Sequence, residues 1–290
     1  MSRLSSSGPF WMVVSCFSFS TMSVFVKLGS STLSTAELMF YRASIALLVL
    51  LAAIVIPGGY SLKISRPVFR LHAGRSFCGA ISMMMATYAM AHLPLPTAIT
   101  LQNTTPLFLM VLIAGLHRVL PSPAQVFSIG LGFMGVILLL QPTISSELLF
   151  PCSMGLLSGL FSAGSMFNIR ELGRAGEPEW RVVFYFLLTS TVFSGIWMLV
   201  QPYAMAQLDW NNAGIIVAMG VFAGIGQLTV TRAYGKGKSL VVASLSYLTV
   251  AFTSVYGILI WKDNLPLLSY AAMLLIAGAG IVSALRSGRS

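Results

Sequence analysis

About ten apolar runs, each long enough to cross a lipid bilayer, follow one another along this chain. A spanning helix needs roughly 20 mainly apolar residues. Hydrophobic residues make up 57% of the sequence and charged residues only 8%, whereas a soluble domain typically carries about 25% charged residues. We therefore predict an all-α integral membrane protein with ten transmembrane helices. The predicted spans cover residues 9–28, 36–56, 73–92, 95–116, 124–141, 151–170, 181–201, 212–234, 239–261 and 266–285.

The connections between the spans are too short to hold a soluble domain. The longest are residues 57–72 and 170–181, so the function must be performed within or across the membrane. The first span has an apolar stretch longer than the core of a signal peptide, and no small-residue cleavage pattern follows it. We expect it to remain as a helix of the protein.

The sequence shows no pattern typical of a metal or cofactor site. The segment GLGFMG (130–135) matches a dinucleotide-binding motif, but it lies within a predicted span and follows no strand. Neither the three cysteines, which all fall within spans, nor the three histidines, which lie at span ends, have metal-ligand spacing. We predict no metal, cofactor or catalytic residue.

Basic residues predict the orientation in the membrane. The net charge is +10, but the charges are spread over many short loops, which is typical of membrane topology and not of nucleic-acid binding. With a cytoplasmic N-terminus, 14 of the 17 Lys and Arg residues lie inside, so both termini are predicted to be cytoplasmic. The inside set is Arg3, Lys63, Arg66, Arg70, Arg75, Arg118, Arg170, Arg174, Arg181, Arg232, Lys236, Lys238, Arg286 and Arg289.

Shifting the chain against itself by 144 to 145 residues aligns related features. The Leu120-Pro121 step before the fifth span falls over Leu265-Pro266 before the tenth, and Gly135 falls over Gly280. Each half contains five spans, an odd number, so the second half enters the membrane in the opposite sense. Inverted repeats are typical of transporters with a substrate site near the midplane. We predict two repeats, residues 1–145 and 146–290, around a central cavity.

The Tyr41-Arg42 pair, the TLQNTTPLF stretch of the fourth span and SLVVASLSYLTVAFTSVYGILIWKDNLP in the ninth resemble the drug/metabolite transporter superfamily, specifically its EamA-type bacterial members. The resemblance covers essentially the whole chain. It implies a basket of two repeats, a bacterial inner membrane location, and transport of amino acids, nucleosides, vitamins or similar metabolites. Many members have an acidic residue after the fourth span, where this chain has His117-Arg118.

Polar groups concentrate in the fourth span, where each costs free energy in hydrocarbon. Asn103 and Thr104 share a helical face with Thr97 and Thr100. Pro106 has no N–H to donate to the carbonyl of Gln102, so this oxygen must accept a hydrogen bond from water, a side chain or substrate. Polar or small faces also recur on spans 1, 6, 8 and 9. Such residues either line a hydrated cavity or pack helices closely, and buried amides favour the cavity. The cavity candidates are Trp11, Ser15, Arg42, Tyr88, Gln102, Asn103, Thr104, Ser158, Ser162, Ser165, Asn168, Gln227, Ser246, Tyr247 and Thr249.

Arg42 is the charged member of this set, about six residues into the second span. It either extends to the outer interface or anchors a carboxylate, with Glu37 as a structural partner. No Asp or Glu lies in the middle of a predicted span. Proton coupling is therefore disfavoured, and a uniporter or exchanger is the simpler mechanism.

We expect a secondary transporter of small metabolites that works by alternating access, most simply an amino-acid exporter or exchanger. An importer of a vitamin, nucleoside or S-adenosylmethionine-like metabolite is the alternative within this class, and a lipid-modifying membrane enzyme is the alternative outside it. Partners are a small zwitterionic or amphipathic substrate and the bilayer. Small-residue patches in spans 5 and 10 fit either packing within a monomer or a homodimer.

Overall fold

The computed structural model describes residues 7–93, 95–118, 120–140, 148–200 and 210–262, with 268, 271–272, 274–275 and 278. These residues form helices and connecting turns, without a strand among them. The helices are α1 (Gly8–Gly29), α2 (Thr35–Leu50), α3 (Arg66–His92), α4 (Leu95–Gln102), α5 (Thr105–His117), α6 (Pro123–Leu140), α7 (Leu149–Arg174), α8 (Glu179–Val200), α9 (Trp210–Lys236), α10 (Ser239–Leu245) and α11 (Leu248–Tyr256). Helix α2 continues through a π-helical turn (Leu51–Val55) to Gly58, and α11 through Gly257–Trp261.

Six described helical segments are long and apolar enough to cross a membrane, which makes this a multi-pass membrane protein. Helix α3 has 27 residues and is longer than any of these six segments, but Arg66, Arg70 and Arg75 lower its mean hydropathy. The fourth predicted span is divided into α4 and α5, and the tenth lies almost entirely outside the described residues. The six segments are residues 8–29, 35–58, 149–174, 179–200, 212–236 and 239–260.

The fourth and ninth predicted spans are both interrupted near their middle. Between α4 and α5, the Thr105 hydroxyl donates to the carbonyl of Gln102 at 2.9 Å, so a neighbouring side chain satisfies the oxygen that Pro106 leaves without an amide donor. Between α10 and α11, the Ser246 hydroxyl donates to the carbonyl of Ala243 at 2.7 Å. The second break has no proline, and the sequence analysis did not anticipate it.

Helix α2 begins at a capping box. The Ser34 amide donates to the Glu37 carboxylate at 2.7 Å, and the Glu37 amide donates to the Ser34 hydroxyl at 3.3 Å. Both bonds satisfy amides that the first helical turn leaves without partners. The structure therefore uses Glu37 to start the helix, and none of the ion pairs it describes joins Glu37 to Arg42 as the sequence suggested.

Small residues let the long helices approach one another closely. The most extensive pairings are α3 along α7 and α1 along α9. Helices α7 and α9 also meet at Gly173 and Gly235, where a Cβ added to Gly173 would lie 2.5 Å from the Cα of Gly235. Close backbone approach through small residues is how membrane helices gain packing contacts.

One of the glycines considered for a dimer interface is used within the chain. A side chain at Gly132 of α6 would collide with the ring of Tyr247, while Gly130 and Gly278 have no described atom within 4 Å of an added Cβ. Gly132 therefore packs α6 onto the break between α10 and α11. Homodimer formation stays a prediction.

The Gly173–Gly235 contact predicts an asymmetric response to alanine. Gly173→Ala should lower the free energy of unfolding by about 1–3 kcal/mol, because the methyl group meets backbone that cannot rotate away. Gly235→Ala is the matched control, since its added Cβ lies 3.7 Å from the Cα of Gly173, an ordinary contact, and should change stability by less than about 1 kcal/mol. Thermal midpoints of the purified variants in detergent measure both, and equal loss in the two would contradict the packing described.

Candidate functional site

An arginine lies fully enclosed where α3, α7, α8 and α9 meet. The Arg75 side chain is 2% exposed. Its Nη1 donates to the Ser165 hydroxyl at 2.6 Å, and its Nη2 donates to the side-chain carbonyl of Gln227 at 2.9 Å. The guanidinium carbon lies 3.9 Å from the centroid of the Phe186 ring. Four helices from both halves of the chain are thus joined through one cation.

Arg75 was expected among the cytoplasmic charges, but it is buried inside the bundle. Charge counting assumes that an arginine near a span end faces water, but the third residue of the predicted span at 73–92 already points into the bundle. The signal that would have identified it was available. A cation inside an apolar run is costly and usually marks a functional position.

Arg42 of α2 approaches the same region from another direction. It is half-buried, and its guanidinium contacts the sulfur atoms of Met22 and Met83. Arg42, Met83, Phe186 and Gln227 line a cavity of about 10 Å³, which holds roughly one water molecule. Two of these lining residues, Phe186 and Gln227, are the ones that contact Arg75.

The arginines have no carboxylate partner among the described residues. None of the ion pairs in this part of the chain includes Arg42 or Arg75. The Nε atom of Arg75 is buried without a hydrogen-bond partner. Neutral oxygens, a ring face and thioethers are therefore the groups that surround the two cations.

Of the predicted cavity residues, Ser165 and Gln227 contact Arg75, and Arg42 lines the small cavity together with Gln227. Ser162 is half-buried one turn before Ser165 on α7. Asn168 is also half-buried, donates to the carbonyl of Gly164 at 2.8 Å and lies against Gly74 of α3.

Other predicted residues make local or interhelical packing bonds. The Ser15 hydroxyl donates to the carbonyl of Gly226 at 3.0 Å, which ties α1 to α9. Ser158 on α7 and Thr104 at the break after α4 are buried, and each donates to the carbonyl three residues earlier. Ser246 does the same at its break, and the Thr249 carbonyl accepts from Ser20 at 2.9 Å. Gln102 and Asn103 are half-buried at the break between α4 and α5.

The aromatic candidates do not join this cluster. Trp11 lies under the guanidinium of Arg232 at 4.5 Å. Tyr88 is exposed and stacks on His92 with a ring separation of 4.0 Å. Tyr247 lies at the break between α10 and α11 and is fully buried against Gly132 and Val136 of α6.

Ion pairs cluster at the end of the bundle that carries most loop arginines. His72 of α3 contacts Glu177 at 3.1 Å, and His117 of α5 contacts Glu171 at 3.2 Å. Both pairs connect the first half of the chain to the second. At the opposite end, the Thr32 hydroxyl donates to Asn212 at 2.9 Å. The two halves are held together at both ends, by histidine–carboxylate contacts at one and by a hydroxyl–amide hydrogen bond at the other.

A larger cavity of about 330 Å³ opens at the charged end. Arg170, Arg174 and Lys238 line it together with Gln125 and Ser239. Arg170 and Arg174 share Glu171 as an ionic partner. This cavity therefore carries an excess of positive charge. Among the described residues, no group of three His, Cys, Asp or Glu side chains has the arrangement of a metal site.

Comparison with known proteins identifies a family. The model of the EamA-like transporter family matches residues 6–141 and again 149–285. A pseudopaline exporter of Pseudomonas aeruginosa is 31% identical over 277 residues, 95% of either chain. A riboflavin transporter of Brucella anthropi is 21% identical over 93% of this chain and 95% of its own. A solved crystal structure with 19% identity superposes with a TM-score of 0.83 over 97% of this chain and 98% of that one.

The Arg75 cluster predicts that Ser165 matters for stability more than its neighbour does. Ser165→Ala removes an acceptor from a buried cation and a donor to the Arg75 carbonyl, to which the hydroxyl bonds at 3.0 Å. A loss of about 1–3 kcal/mol is expected. Ser162→Ala, one turn earlier, removes a hydroxyl of the same kind that makes no hydrogen bond to the described residues, and it should cost less. Thermal unfolding of the two variants in detergent decides, and an equal effect would contradict the cluster.

His72 predicts a loss of stability in mild acid. Burial lowers the pKa of His72 below its ordinary value of 6.5, and its hydrogen bond to Glu177 offsets this only in part. The unfolded chain then binds a proton at a higher pH than the folded protein does. The free energy of unfolding should therefore fall as the pH drops below about 6.5.

His72→Gln should weaken this pH dependence, while exposed His92→Gln serves as the control and should leave it unchanged. Thermal midpoints between pH 8 and pH 5 provide the measurement. An unaltered profile for His72→Gln would show that other groups cause the acid sensitivity.

Proposed function

The chain belongs to the EamA-like transporter family and is a transporter of small metabolites; from this premise we propose that it is an alternating-access exporter or exchanger with two inverted five-helix repeats. The repeats are residues 1–145 and 146–290, and together they contribute ten spans. The substrate site lies between them, around Arg75, Ser165, Gln227 and Arg42.

The observation that carries this proposal is the pairing of helices across the two halves. In two inverted repeats, span 1 (α1) corresponds to span 6 (α7), and span 3 (α3) corresponds to span 8 (α9). When each helix is replaced by its counterpart, the contact of α3 with α7 becomes the contact of α9 with α1. These two contacts are the most extensive helix pairings in the structure. Inverted repeats with a shared interface are the usual basis of carriers in which one half rocks against the other.

Two local features support the same relation. The breaks at 103–104 and 246–247 interrupt the fourth and ninth spans at matching places, about half the chain apart. Helix α5 ends with Arg118 at φ 53°, and the π-helical turn after α11 ends with Lys262 at φ 55°. A left-handed conformation is uncommon for residues other than glycine. Its recurrence 144 positions later fits two copies of one folding unit.

The size of the central cavity supports a gated mechanism. A space of about 10 Å³ holds no metabolite, so the helices around it must separate before a substrate enters. Contacts at the ends of the bundle, such as His72 with Glu177 and Thr32 with Asn212, would open in turn on the two sides. The first pair would face the cytoplasm if the positive charges set the orientation.

Export of an amino-acid-related metabolite is the direction we favour, because a relative named as an exporter is 31% identical over 95% of the chain. The riboflavin transporter supports a vitamin as the second candidate. The same family and the loop charges support a location in a bacterial inner membrane with cytoplasmic termini. A catalytic role has no support from the site, whose polar groups hold one another in place.

Transport by the purified protein tests this function. Reconstituted into proteoliposomes, the protein should exchange labelled metabolite with saturable kinetics, and a preloaded unlabelled substrate should accelerate uptake. Amino acids, their derivatives and riboflavin form the panel, and empty liposomes are the control. Disulfide cross-linking of α5 to α7 near His117 and Glu171 should stop exchange, and its reduction should restore it. Transport that neither saturates nor responds to the cross-link would contradict a carrier mechanism.

A further inference from the structure

We propose that the substrate carries net negative charge and that Arg75 and Arg42 bind its carboxylates. This inference rests on the proposed function and specifies the chemical class of the cargo. Sequence reasoning instead favoured a zwitterionic or amphipathic molecule, on the basis of a cavity with one arginine. A second arginine in the same region changes that expectation.

Burial of the Arg75 guanidinium is energetically unfavourable. A guanidinium transferred out of water loses hydration that only strong partners replace. Ser165 and Gln227 each accept one hydrogen bond from Arg75, and Phe186 covers one face. These neutral groups hold the side chain in one orientation without neutralising its charge.

Arg75 has a hydrogen-bond donor that no described residue accepts. An arginine presents five N–H donors, and the Nε atom of Arg75 is buried with no hydrogen-bond partner. A carboxylate matches the planar donor fork of a guanidinium and forms short, charge-assisted bonds with it. A carboxylate could therefore accept a hydrogen bond from the Nε–H of Arg75 and balance the positive charge of its guanidinium.

Arg42 is a second cation in this region and lines the small cavity. Arg42 lines the cavity directly, while Gln227 and Phe186 line it and contact Arg75. Thioether sulfurs are the hydrogen-bonding atoms that the structure places beside Arg42, and they are weak acceptors. Arg42 lies at the cavity and Arg75 lies behind two of its lining residues. Both positive charges would therefore repel a cation that enters the cavity and attract an anion.

The larger, positively charged cavity at the end of the bundle also fits an anionic cargo. Arg170, Arg174 and Lys238 line the 330 Å³ cavity there. Charges of one sign in a cleft concentrate ligands of the opposite sign and raise their rate of association. Anionic metabolites would therefore be concentrated at this end of the bundle.

Matched acid and amide pairs test the charge class without any mutation. Thermal shifts of the purified protein should be recorded with glutamate against glutamine, aspartate against asparagine, and succinate against succinamide, because bound ligand stabilises the folded state. The carboxylates should bind at least about tenfold more tightly than their amides. Binding of the neutral members alone, equal binding within pairs, or no stabilisation by any carboxylate overturns the proposal.

Variants then assign the effect to the arginines. Arg75→Gln and Arg42→Gln should each reduce the preference for the acid by roughly tenfold or more. Arg70→Gln is the matched control, since Arg70 lies on the same helix as Arg75 and is exposed, and it should keep the preference. If Arg75→Gln does not fold, Arg75→Lys retains the charge without the planar fork and should weaken but not abolish discrimination. Full acid preference in folded Arg75 and Arg42 variants overturns the assignment.

Transport measurements distinguish a wrong charge class for the cargo from a wrong transport function. Saturable exchange of a neutral metabolite in proteoliposomes would keep the carrier and reject the anionic cargo. Exchange of the acid members, reduced in Arg75→Gln and retained in Arg70→Gln, would support both. Variants of Arg75 that lower only the melting temperature, with an unchanged ratio of acid to amide affinity, would leave it a structural residue.

Discussion

The enclosed guanidinium of Arg75 determines how the middle of this bundle is organised. Because a buried cation must be hydrogen-bonded, helices from both halves of the chain have to present acceptors to it at fixed positions. Ser165 and Gln227 provide them from α7 and α9, and Phe186 covers the guanidinium from α8. Any relative motion of the halves that separates α3 from α7 or α9 must exchange these bonds for others, such as bonds to water or to cargo.

Hydrophobicity along the sequence was enough to predict most of the helical segments, since a helix in lipid has to satisfy its own backbone and its length is set by the bilayer. The Pro106 break was also predictable from its missing N–H. The break at 246–247 was not, because no proline marks it in the sequence. Tyr247, which was expected to line the cavity, is fully buried against α6 at this break.

The site was predictable in part for similar reasons. Gln227 and Ser165 were identified because an amide and a serine recur at helical spacing on spans that face the other half. Arg75 was missed because the charge rule treats arginines near span ends as belonging to water. Tyr88 and Trp11 have the composition of cavity aromatics, but their neighbours His92 and Arg232 hold them elsewhere. Which partner an aromatic ring selects depends on tertiary packing, and helical periodicity alone does not contain that information.

The chamber beside Arg42 has room for about one water molecule. A lone water cannot form the hydrogen-bonded file along which protons hop, and the positive charge of Arg42 opposes the entry of sodium or potassium. Among the described residues, the chamber beside Arg42 is therefore too small for a water file in this conformation. An empty carrier in this state should not conduct ions through that chamber.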